Sequence, residues 1–537
     1  MQEIELVARS GSPVRLALTF VVAALATGIG WLALLPPWEG FDETAHFSSV
    51  QQMADTGTLP IFGKSFMSRD VVGYRQHLPM PYSSTPPFEE NGGITYQRFF
   101  AAPVTDEAKL ALEYPRGFVP SDQPNWQSQH PPLYYAIMAP VYLVSAEWGW
   151  PTQLLLMRMI SWLIAMAGFV VGLVGIYRYW PGRSREDACA VAAAWPFLVP
   201  MFFPEMARLG NDSLCLLLAG AVWYLLMRLA ANGARRRDGI LLGVLLGLGL
   251  ITKAFFLPIA AGVVAYLVLR RNFGIAGIAL LLAALVGGPW YVYKYLAFGV
   301  VTGAYEEIVL AEQGGLLGGL AAQFSTGSLV HGLAGIVATL CRPATWSLAK
   351  LPEVFLLPLV ALLLLPFCAY AFGLLRTRSE DIRWAPALIA GAVVAGLGHH
   401  VLVRIALSGI GSGTPGWYLH MLAGPLGFAY AVGVLRIAHR RFVRRILPLL
   451  GTYTVGYFAV VSWIQLLMYS GCVAKGGTVK YYALPTDPSC TSDVPELFRR
   501  LSLIAEPGIG LFSLVVGIGL GGFALASLWT RLTDNEI

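Results

Sequence analysis

The sequence predicts an all-α, polytopic membrane protein with about twelve transmembrane helices. Hydrophobic residues make up 56% of its 537 residues and charged residues only 13%, which is more apolar side chain than a soluble core absorbs. The apolar residues form successive runs, and a run of about 20 residues spans a bilayer as a helix. Short basic clusters separate these runs, as is typical of the loops on one face of a membrane.

The apolar runs predict one membrane domain, 1–537, built from twelve spans. Pro258 separates two neighbouring spans, and the connection 470–506 is too short to form a separate soluble module. The predicted spans are 16–36, 153–177, 188–204, 213–230, 239–257, 258–270, 274–292, 353–374, 384–402, 417–435, 446–469 and 507–529.

The distribution of arginine predicts the orientation of these spans. If the N-terminus is cytoplasmic, every second connection is basic, which is the positive-inside pattern. We therefore expect a multi-pass protein of an inner (plasma) membrane with both termini in the cytoplasm and outer loops at 37–152, 293–352 and 470–506. The net charge of +6 then reflects topology rather than nucleic-acid binding. The inner connections carry Arg178, Arg183, Arg185, Arg228, Arg235, Arg236, Arg237, Arg270, Arg271, Arg376, Arg378, Arg383, Arg436, Arg440, Arg441, Arg444, Arg445 and Arg531.

The first outer loop is predicted to hold two helices that lie at the membrane surface. One covers 43–56 and ends at Gly57. The other begins at His130-Pro131-Pro132-Leu133-Tyr134-Tyr135 and runs to about Trp148. Counting this second stretch as a span would turn all later basic connections outward, so we expect it to lie in the interface, with its prolines at the start.

Two adjacent carboxylates, Asp42 and Glu43, follow the first apolar run directly. A carboxylate at a membrane surface can hold a proton, a metal or a polar substrate. His46 lies four residues after Asp42, on the same face of a helix, and can orient a carboxylate or simply be a hydrogen-bonded surface residue. Helix capping is the alternative role for Asp42 and Glu43, because a carboxylate in the first turn of a helix accepts hydrogen bonds from backbone N–H groups that have no helical partner.

A second charged group is predicted at the outer end of a later span. Arg208, Asn211 and Asp212 come together there, and Lys253 falls at the next outer end. Charges in such positions are costly unless they face a cavity or a partner. An interfacial ion pair between Arg208 and Asp212 and a snorkelling Lys253 are the alternatives.

Three motifs in this order resemble the GT-C superfamily of polyprenyl-phosphate-sugar-dependent glycosyltransferases. They are Asp-Glu after the first span, His-Pro-Pro-Leu-Tyr-Tyr at 130–135, and Leu-Gly-Asn-Asp-Ser at 209–213. The pattern is similar to a bacterial branch with a Pro-Pro-Asp-Glu-x-x-His-Phe signature, and more distantly to protein O-mannosyltransferases and aminoarabinose transferases. The chain departs from it twice: residues 38–41 are inserted before Asp-Glu, and the Gly-Arg-Tyr-Leu expected later reads Gly-Trp-Tyr-Leu at 416–419.

The resemblance implies a lipid-linked donor used on the outer face, with the sugar moved from polyprenyl phosphate to a glycan, lipid or protein acceptor. Such an enzyme must activate the acceptor and stabilise the departing phosphate. Asp42 is the candidate base, with Glu43, His46 and Asp212 as further acidic or orienting groups. The candidate donor or phosphate ligands are Arg208, Lys253, His130, Asn211, Arg342 and Arg404, of which His130 can also cap its helix and the last two can be structural.

The sequence does not decide whether the protein holds a cofactor, but Asp42, Glu43 and Asp212 could hold a divalent cation. It contains neither a His-x-x-x-His or Cys-x-x-Cys motif nor a Walker loop, a Gly-x-Ser-x-Gly elbow or a nucleotide-sugar Rossmann unit. Cys472 and Cys490 share one predicted outer loop in an oxidising compartment, where a disulfide is expected.

Two other functions fit a polytopic chain. A transporter or flippase of envelope lipids or polysaccharides would show inverted repeats and charges near the middle of broken helices, whereas the polar groups here cluster at outer ends. A non-catalytic subunit of envelope assembly would keep the same fold without activity.

Overall fold

The computed structural model describes residues 13–81, 94–113, 117–302, 305–348, 351–473 and 493–534. In these ranges the chain is almost entirely helical, and nine helices are long and apolar enough to cross a membrane. The prediction of an all-α, polytopic membrane protein is thereby confirmed. The nine helices are Pro13–Leu34, Trp150–Tyr179, Asp212–Asn232, Phe273–Phe298, Glu353–Leu374, Trp384–Ser408, Gly416–Ile437, Arg441–Tyr469 and Pro507–Thr533.

The predicted span 188–204 is not one helix. It consists of three short helices, Arg185–Ala193, Trp195–Leu198 and Phe202–Ala207. Prolines at 196, 200 and 204 lack the backbone N–H that a continuous helix needs, so the segment breaks although its side chains are buried. It still crosses the helix bundle, from the Asp187–Arg531 ion pair at one end to Arg208 at the other.

The predicted pair 239–257 and 258–270 forms two short helices, Arg236–Leu250 and Phe256–Leu269. The break lies at 251–255 rather than at Pro258. Pro258 is the third residue of the second helix, where a missing N–H costs nothing because the first turn has no helical acceptor for it. The break leaves Lys253 in a turn at the end of the bundle.

The loop 293–352 contains more structure than the sequence indicates. The helix Tyr305–Glu312 precedes a bent pair, Gly315–Gln323 and Thr326–Cys341, whose axes meet at 111°. The pair packs on the helix Trp384–Ser408 and the segment after it. Gly332 permits this contact, because a Cβ there would lie 2.6 Å from the carbonyl oxygen of Gly411.

Both helices predicted for the first outer loop are present. The first is Glu43–Thr56, closed by Gly57 in a left-handed conformation, and the second is Leu133–Val144. Short elements connect them, including an antiparallel pair of strands, and one further short helix follows near the C-terminus. They are the strands Phe66–Ser68, Pro79–Met80, Ile94–Thr95 and Pro120–Pro124, the helices Arg69–Gly73, Tyr96–Phe100, Asp106–Glu113 and Val494–Leu501, and the 3₁₀ turns Tyr74–Gln76 and Trp126–Gln129.

The core lies among the first, second and third long helices and the broken segment 185–207. Close backbone approach at glycine holds these helices together, as in many membrane bundles. A Cβ at Gly30 would lie 2.4 Å from the backbone nitrogen of Leu514, and one at Gly168 would lie 2.4 Å from the Cα of Leu217. This packed centre fixes the helix ends on which the charged residues stand.

Candidate functional site

Charged residues that the sequence places far apart meet at one end of the bundle. Asp212, at the start of the third long helix, accepts a hydrogen bond from Arg208 at 2.8 Å and one from Lys253 at 2.7 Å. All three side chains are buried. The structure therefore brings the predicted residues Arg208, Asp212 and Lys253 together, in contact across 41 residues of sequence.

Arg208 uses all of its guanidinium nitrogens within the protein. Its Nε and Nη2 donate to the two oxygens of Glu205 at 3.1 and 2.6 Å, and its Nη1 donates to the carbonyl oxygen of Phe41 at 2.8 Å. Sequence reasoning missed Glu205, although an acid inside the apolar run 188–207 was the available signal. Two cations thus face two carboxylates, Glu205 and Asp212, and the cluster is close to neutral.

Glu43 is held by a buried ion pair with Arg158 of the helix Trp150–Tyr179. Arg158 donates to its two oxygens at 2.8 and 2.6 Å, and the backbone N–H groups of Gly40 and Leu209 also donate to them. Arg158 was missed as well, and its signal was a lone arginine within an apolar run. With both oxygens occupied, Glu43 joins the first loop to the bundle and orients its neighbour.

Asp42 faces a different set of groups from Glu43. Its backbone is left-handed, with φ 60°, and its side chain makes no capping hydrogen bond to the helix that follows. One oxygen, Oδ1, accepts from the indole N–H of Trp126 at 3.2 Å, whereas Oδ2 has no hydrogen-bond donor within the described residues. Burial raises the pKa of Asp42, and the nearby charge of Arg208 opposes that rise.

His46 and His130 lie beside Asp42 as neutral imidazoles. Nδ1 of His46 shares a hydrogen bond of 3.0 Å with the hydroxyl of Tyr135, and the two imidazole rings lie parallel with centroids 6.4 Å apart. Burial lowers the pKa of His46 well below its usual value and the pKa of His130 to about 3. Both rings therefore stay uncharged near neutral pH.

A cavity of about 400 Å³ opens beside these groups. Tyr418, from the Gly-Trp-Tyr-Leu segment, places its ring 4.4 Å from the ammonium of Lys253, and Trp417 stacks on Phe41. The near end of the cavity is lined by Asp42, Trp126, His130, Lys253 and Tyr418, and the far end by Glu306, Glu307, His399 and His400.

The insertion 38–41 anchors the turn that carries Asp42. Glu39 is fully buried and accepts hydrogen bonds from Tyr96 at 2.9 Å, from Thr345 at 2.9 Å and from the backbone N–H of Ser347 at 3.0 Å. Burial raises its pKa against these donors. Trp38, with φ 68°, is also buried. Sequence reasoning treated these four residues only as a departure from a motif, yet through Glu39 they bind this turn to Tyr96 and to residues 345–347.

The other predicted residues are less central. Asn211 is buried and donates weakly to the carbonyl oxygen of Thr252 at 3.4 Å. Arg342 forms its ion pair with Glu353 rather than with an acid of this cluster. Arg404 lies 3.7 Å from Glu306 at the far end of the cavity.

The predicted metal ligands and disulfide have different outcomes. Within the part of the chain that the structure describes, no group of three or more His, Cys, Asp or Glu side chains has metal-binding geometry, so Asp42, Glu43 and Asp212 do not converge on one point. Cys490 lies outside the described residues, and its disulfide with Cys472 stays a prediction.

Two solved structures follow the chain over nearly its whole length. Against ArnT from Cupriavidus metallidurans bound to undecaprenyl phosphate, 96% of this chain covers 77% of that one, with a TM-score of 0.47 and 14% identity. Against the archaeal oligosaccharyltransferase AglB from Archaeoglobus fulgidus, in complex with an inhibitory peptide and a dolichol-phosphate, 94% of this chain covers 56% of that one, with a TM-score of 0.38 and 12% identity. Likenesses this distant do not assign an activity.

Comparison by sequence gives the family. No curated protein matches the chain. The family described as "Predicted membrane protein (DUF2142)" matches residues 25–311, which is more than half of the 537 residues and includes Asp42, Arg208, Asp212 and Lys253. The helices long enough to cross a membrane agree with that description, and the chain belongs to this family of membrane proteins.

Proposed function

We propose that the protein is a GT-C-like glycosyltransferase, which moves a sugar from a polyprenyl-phosphate carrier to an acceptor at the outer face of a plasma membrane. The observation that carries the proposal is the free oxygen of Asp42. This oxygen belongs to a carboxylate that lines a cavity of about 400 Å³, while the neighbouring acids Glu43 and Asp212 are each neutralised by a buried cation.

The proposed reaction needs a base at this position. The acceptor oxygen or nitrogen attacks the anomeric carbon of the sugar, the bond from that carbon to the phosphate oxygen breaks, and polyprenyl phosphate leaves. Asp42 takes the proton that the acceptor loses. A raised pKa makes Asp42 a stronger base than an exposed aspartate.

The groups around Asp42 have two kinds of role in this proposal. Some contact the substrates, and others position the residues that do so. Lys253 and His130 line the cavity, and in this proposal they contact the donor phosphate and a sugar or acceptor hydroxyl. Arg208 uses four of its five guanidinium N–H donors on Glu205, Asp212 and Phe41. In this proposal it therefore positions Lys253 through Asp212 and the Asp42 turn through the carbonyl of Phe41. Glu43 and Glu39 are likewise positioning residues.

The outer-face location is supported by the arrangement of charges along the bundle. The helix Asp212–Asn232 starts at the candidate site, and Arg228, near its other end, pairs with Asp238 of the next helix. This basic connection therefore lies at the opposite end of the bundle from Asp42. Arginine-rich connections are retained in the cytoplasm, which directs the cavity outward. A transporter would instead need a polar site halfway along broken helices.

The test is the consumption of lipid-linked sugars in membranes. Membranes with wild-type protein, with Asp42→Asn or with the exposed control Asp106→Asn are incubated, and polyprenyl-phosphate sugars are followed by mass spectrometry. We expect wild type and the control to convert one such lipid to polyprenyl phosphate and a glycosylated acceptor. Asp42→Asn keeps the shape but not the base, so its rate should fall by about 10²- to 10⁴-fold.

Two outcomes would contradict the proposal. If wild-type protein consumes no polyprenyl-phosphate sugar, the proposed glycosyltransferase activity is wrong. If monodisperse Asp42→Asn transfers sugar at the wild-type rate, Asp42 is not the base.

A further inference from the structure

Lys294 is a buried cation without a hydrogen-bond acceptor. Its side chain is 0% exposed, and its Nζ makes no hydrogen bond within the described residues. The rings of Trp290, Phe298 and Phe62 surround the ammonium, with centroids 5.1, 5.1 and 5.8 Å away. Aromatic faces attract a cation, but they leave its three N–H donors unsatisfied, which is costly in a protein interior.

A second unsatisfied donor lies beside Lys294. The indole Nε1 of Trp290, one helical turn earlier, is also buried and has no hydrogen-bond partner among the described residues. Two neighbouring donors, one of them charged, present the pattern that an anion satisfies, because an anion supplies both acceptor atoms and the opposite charge.

The position of Lys294 connects it to the candidate site. It ends a buried stripe of the helix Phe273–Phe298 that includes Tyr291, whose hydroxyl donates to the carbonyl oxygen of Leu250 at 2.9 Å. Lys294 lies one turn beyond that contact, towards the turn that carries Lys253. It is also near enough to His130 for its charge to contribute to the lowered pKa of that imidazole.

Lys294 differs from the other buried cations around Asp42, which are Arg158, Arg208 and Lys253. These three are balanced by Glu43, Glu205 and Asp212, whereas Lys294 forms no ion pair within the described part of the chain. It therefore supplies positive charge that the cluster itself does not cancel.

We infer that Lys294, with Trp290, binds the phosphate group of a polyprenyl-phosphate carrier. The inference rests on the proposed function, in which such a phosphate is held beside the cavity. An isoprenoid chain has an apolar surface available on the same helix, because Val292 and Leu296 are 58% and 78% exposed on its outer side. The chain can thus stay in the bilayer beside this helix, while the phosphate displaces part of the aromatic enclosure of Lys294 to contact its ammonium.

The test measures binding of defined probes to purified full-length protein in detergent. Polyprenyl phosphate, uncharged polyprenol, inorganic phosphate and phosphatidylglycerol are titrated against wild type, Lys294→Met, Lys294→Arg and Lys64→Met, and binding is followed by intrinsic tryptophan fluorescence and thermal shift. Lys64→Met removes an exposed lysine from the loop that carries Phe62 and is the matched control.

We expect wild type and Lys64→Met to bind polyprenyl phosphate and not polyprenol. Lys294→Met should bind it about 10- to 100-fold more weakly, the range for a lost charge-assisted hydrogen bond, and Lys294→Arg should recover part of the loss. Without ligand, Lys294→Met should be at least as heat-stable as wild type, because it removes an unpaired buried charge. Unchanged heat stability would show that the weaker binding of Lys294→Met is not caused by misfolding.

Three other results would contradict part or all of the inference. Equal binding of polyprenyl phosphate by wild type and Lys294→Met overturns the assignment of Lys294 and leaves the proposed function intact. Equal binding of polyprenyl phosphate and polyprenol by wild type overturns both. Lys294-dependent binding of inorganic phosphate or phosphatidylglycerol in place of polyprenyl phosphate overturns the lipid carrier as occupant.

Discussion

At the scale of single residues, the candidate site depends on which charges are already paired. Glu43 and Asp42 are adjacent in sequence, yet Glu43 is enclosed by Arg158 and two backbone N–H groups, whereas Asp42 keeps a free oxygen at the cavity. Side chains at consecutive positions of a helix start point in different directions. The adjacent acids therefore have separate roles: Glu43 holds the loop, and Asp42, in the proposed function, faces a substrate.

Breaking the Glu43–Arg158 ion pair tests whether Glu43 holds the first loop on the helix bundle. Glu43→Gln should leave a buried arginine without its counter-ion and lower the unfolding free energy by about 3–5 kcal/mol. Glu43→Gln combined with Arg158→Met should cost less than the sum of the two single changes, because the double variant leaves no unpaired charge. Unfolding in mixed detergent micelles measures the free energy of unfolding of the two single variants and of the double variant.

The exposed pair Glu496–Arg499 is the control for this cycle. Glu496→Gln should change stability little, since solvent screens exposed ion pairs. Strictly additive losses at Glu43 and Arg158 would show that the two side chains do not depend on each other.

At the scale of elements, individual residues such as glycine and proline determine where a helix ends. The contact between two helices depends instead on how closely their facing surfaces fit. The helix Glu43–Thr56 ends where Gly57 adopts a left-handed conformation, and the segment 185–207 breaks where its prolines fall. The contact between the first helix and the last one instead depends on Gly30, whose missing side chain allows the backbone of Leu514 to approach.

Gly30→Val should therefore separate these two helices and destabilise the protein by about 1–3 kcal/mol, the usual cost of overpacking. Gly277→Val is the matched change, because Gly277 also lies in a long apolar helix but has no atom within 4 Å of an added Cβ. Thermal unfolding in one detergent compares them. A Gly30→Val protein as stable as Gly277→Val would mean that the contact between the two helices does not limit stability.

At the scale of the whole molecule, the arrangement of arginine predicts which end of the bundle faces outward. Single cysteines at Arg236, in a predicted inner connection, and at Lys64, in the predicted first outer loop, should respond differently to an impermeant thiol reagent in intact cells. We expect labelling at 64 and not at 236, because basic connections stay in the cytoplasm. Both positions are exposed, so both should react after the membrane is opened. Labelling at 236 alone would invert the topology and remove the outer-face chemistry.

The sequence by itself determined the class of the protein, most of its spans and both helices of the first outer loop, because these depend on local hydrophobicity and on proline and glycine. The alternation of basic connections also predicted that Asp42, Arg208, Asp212 and Lys253 share one end of the bundle. Only the tertiary structure decided their partners. The pairs Glu43–Arg158 and Arg208–Phe41 join residues 115 and 167 positions apart, and whether a buried charge is neutralised or left for a ligand depends on such contacts, which no local pattern records.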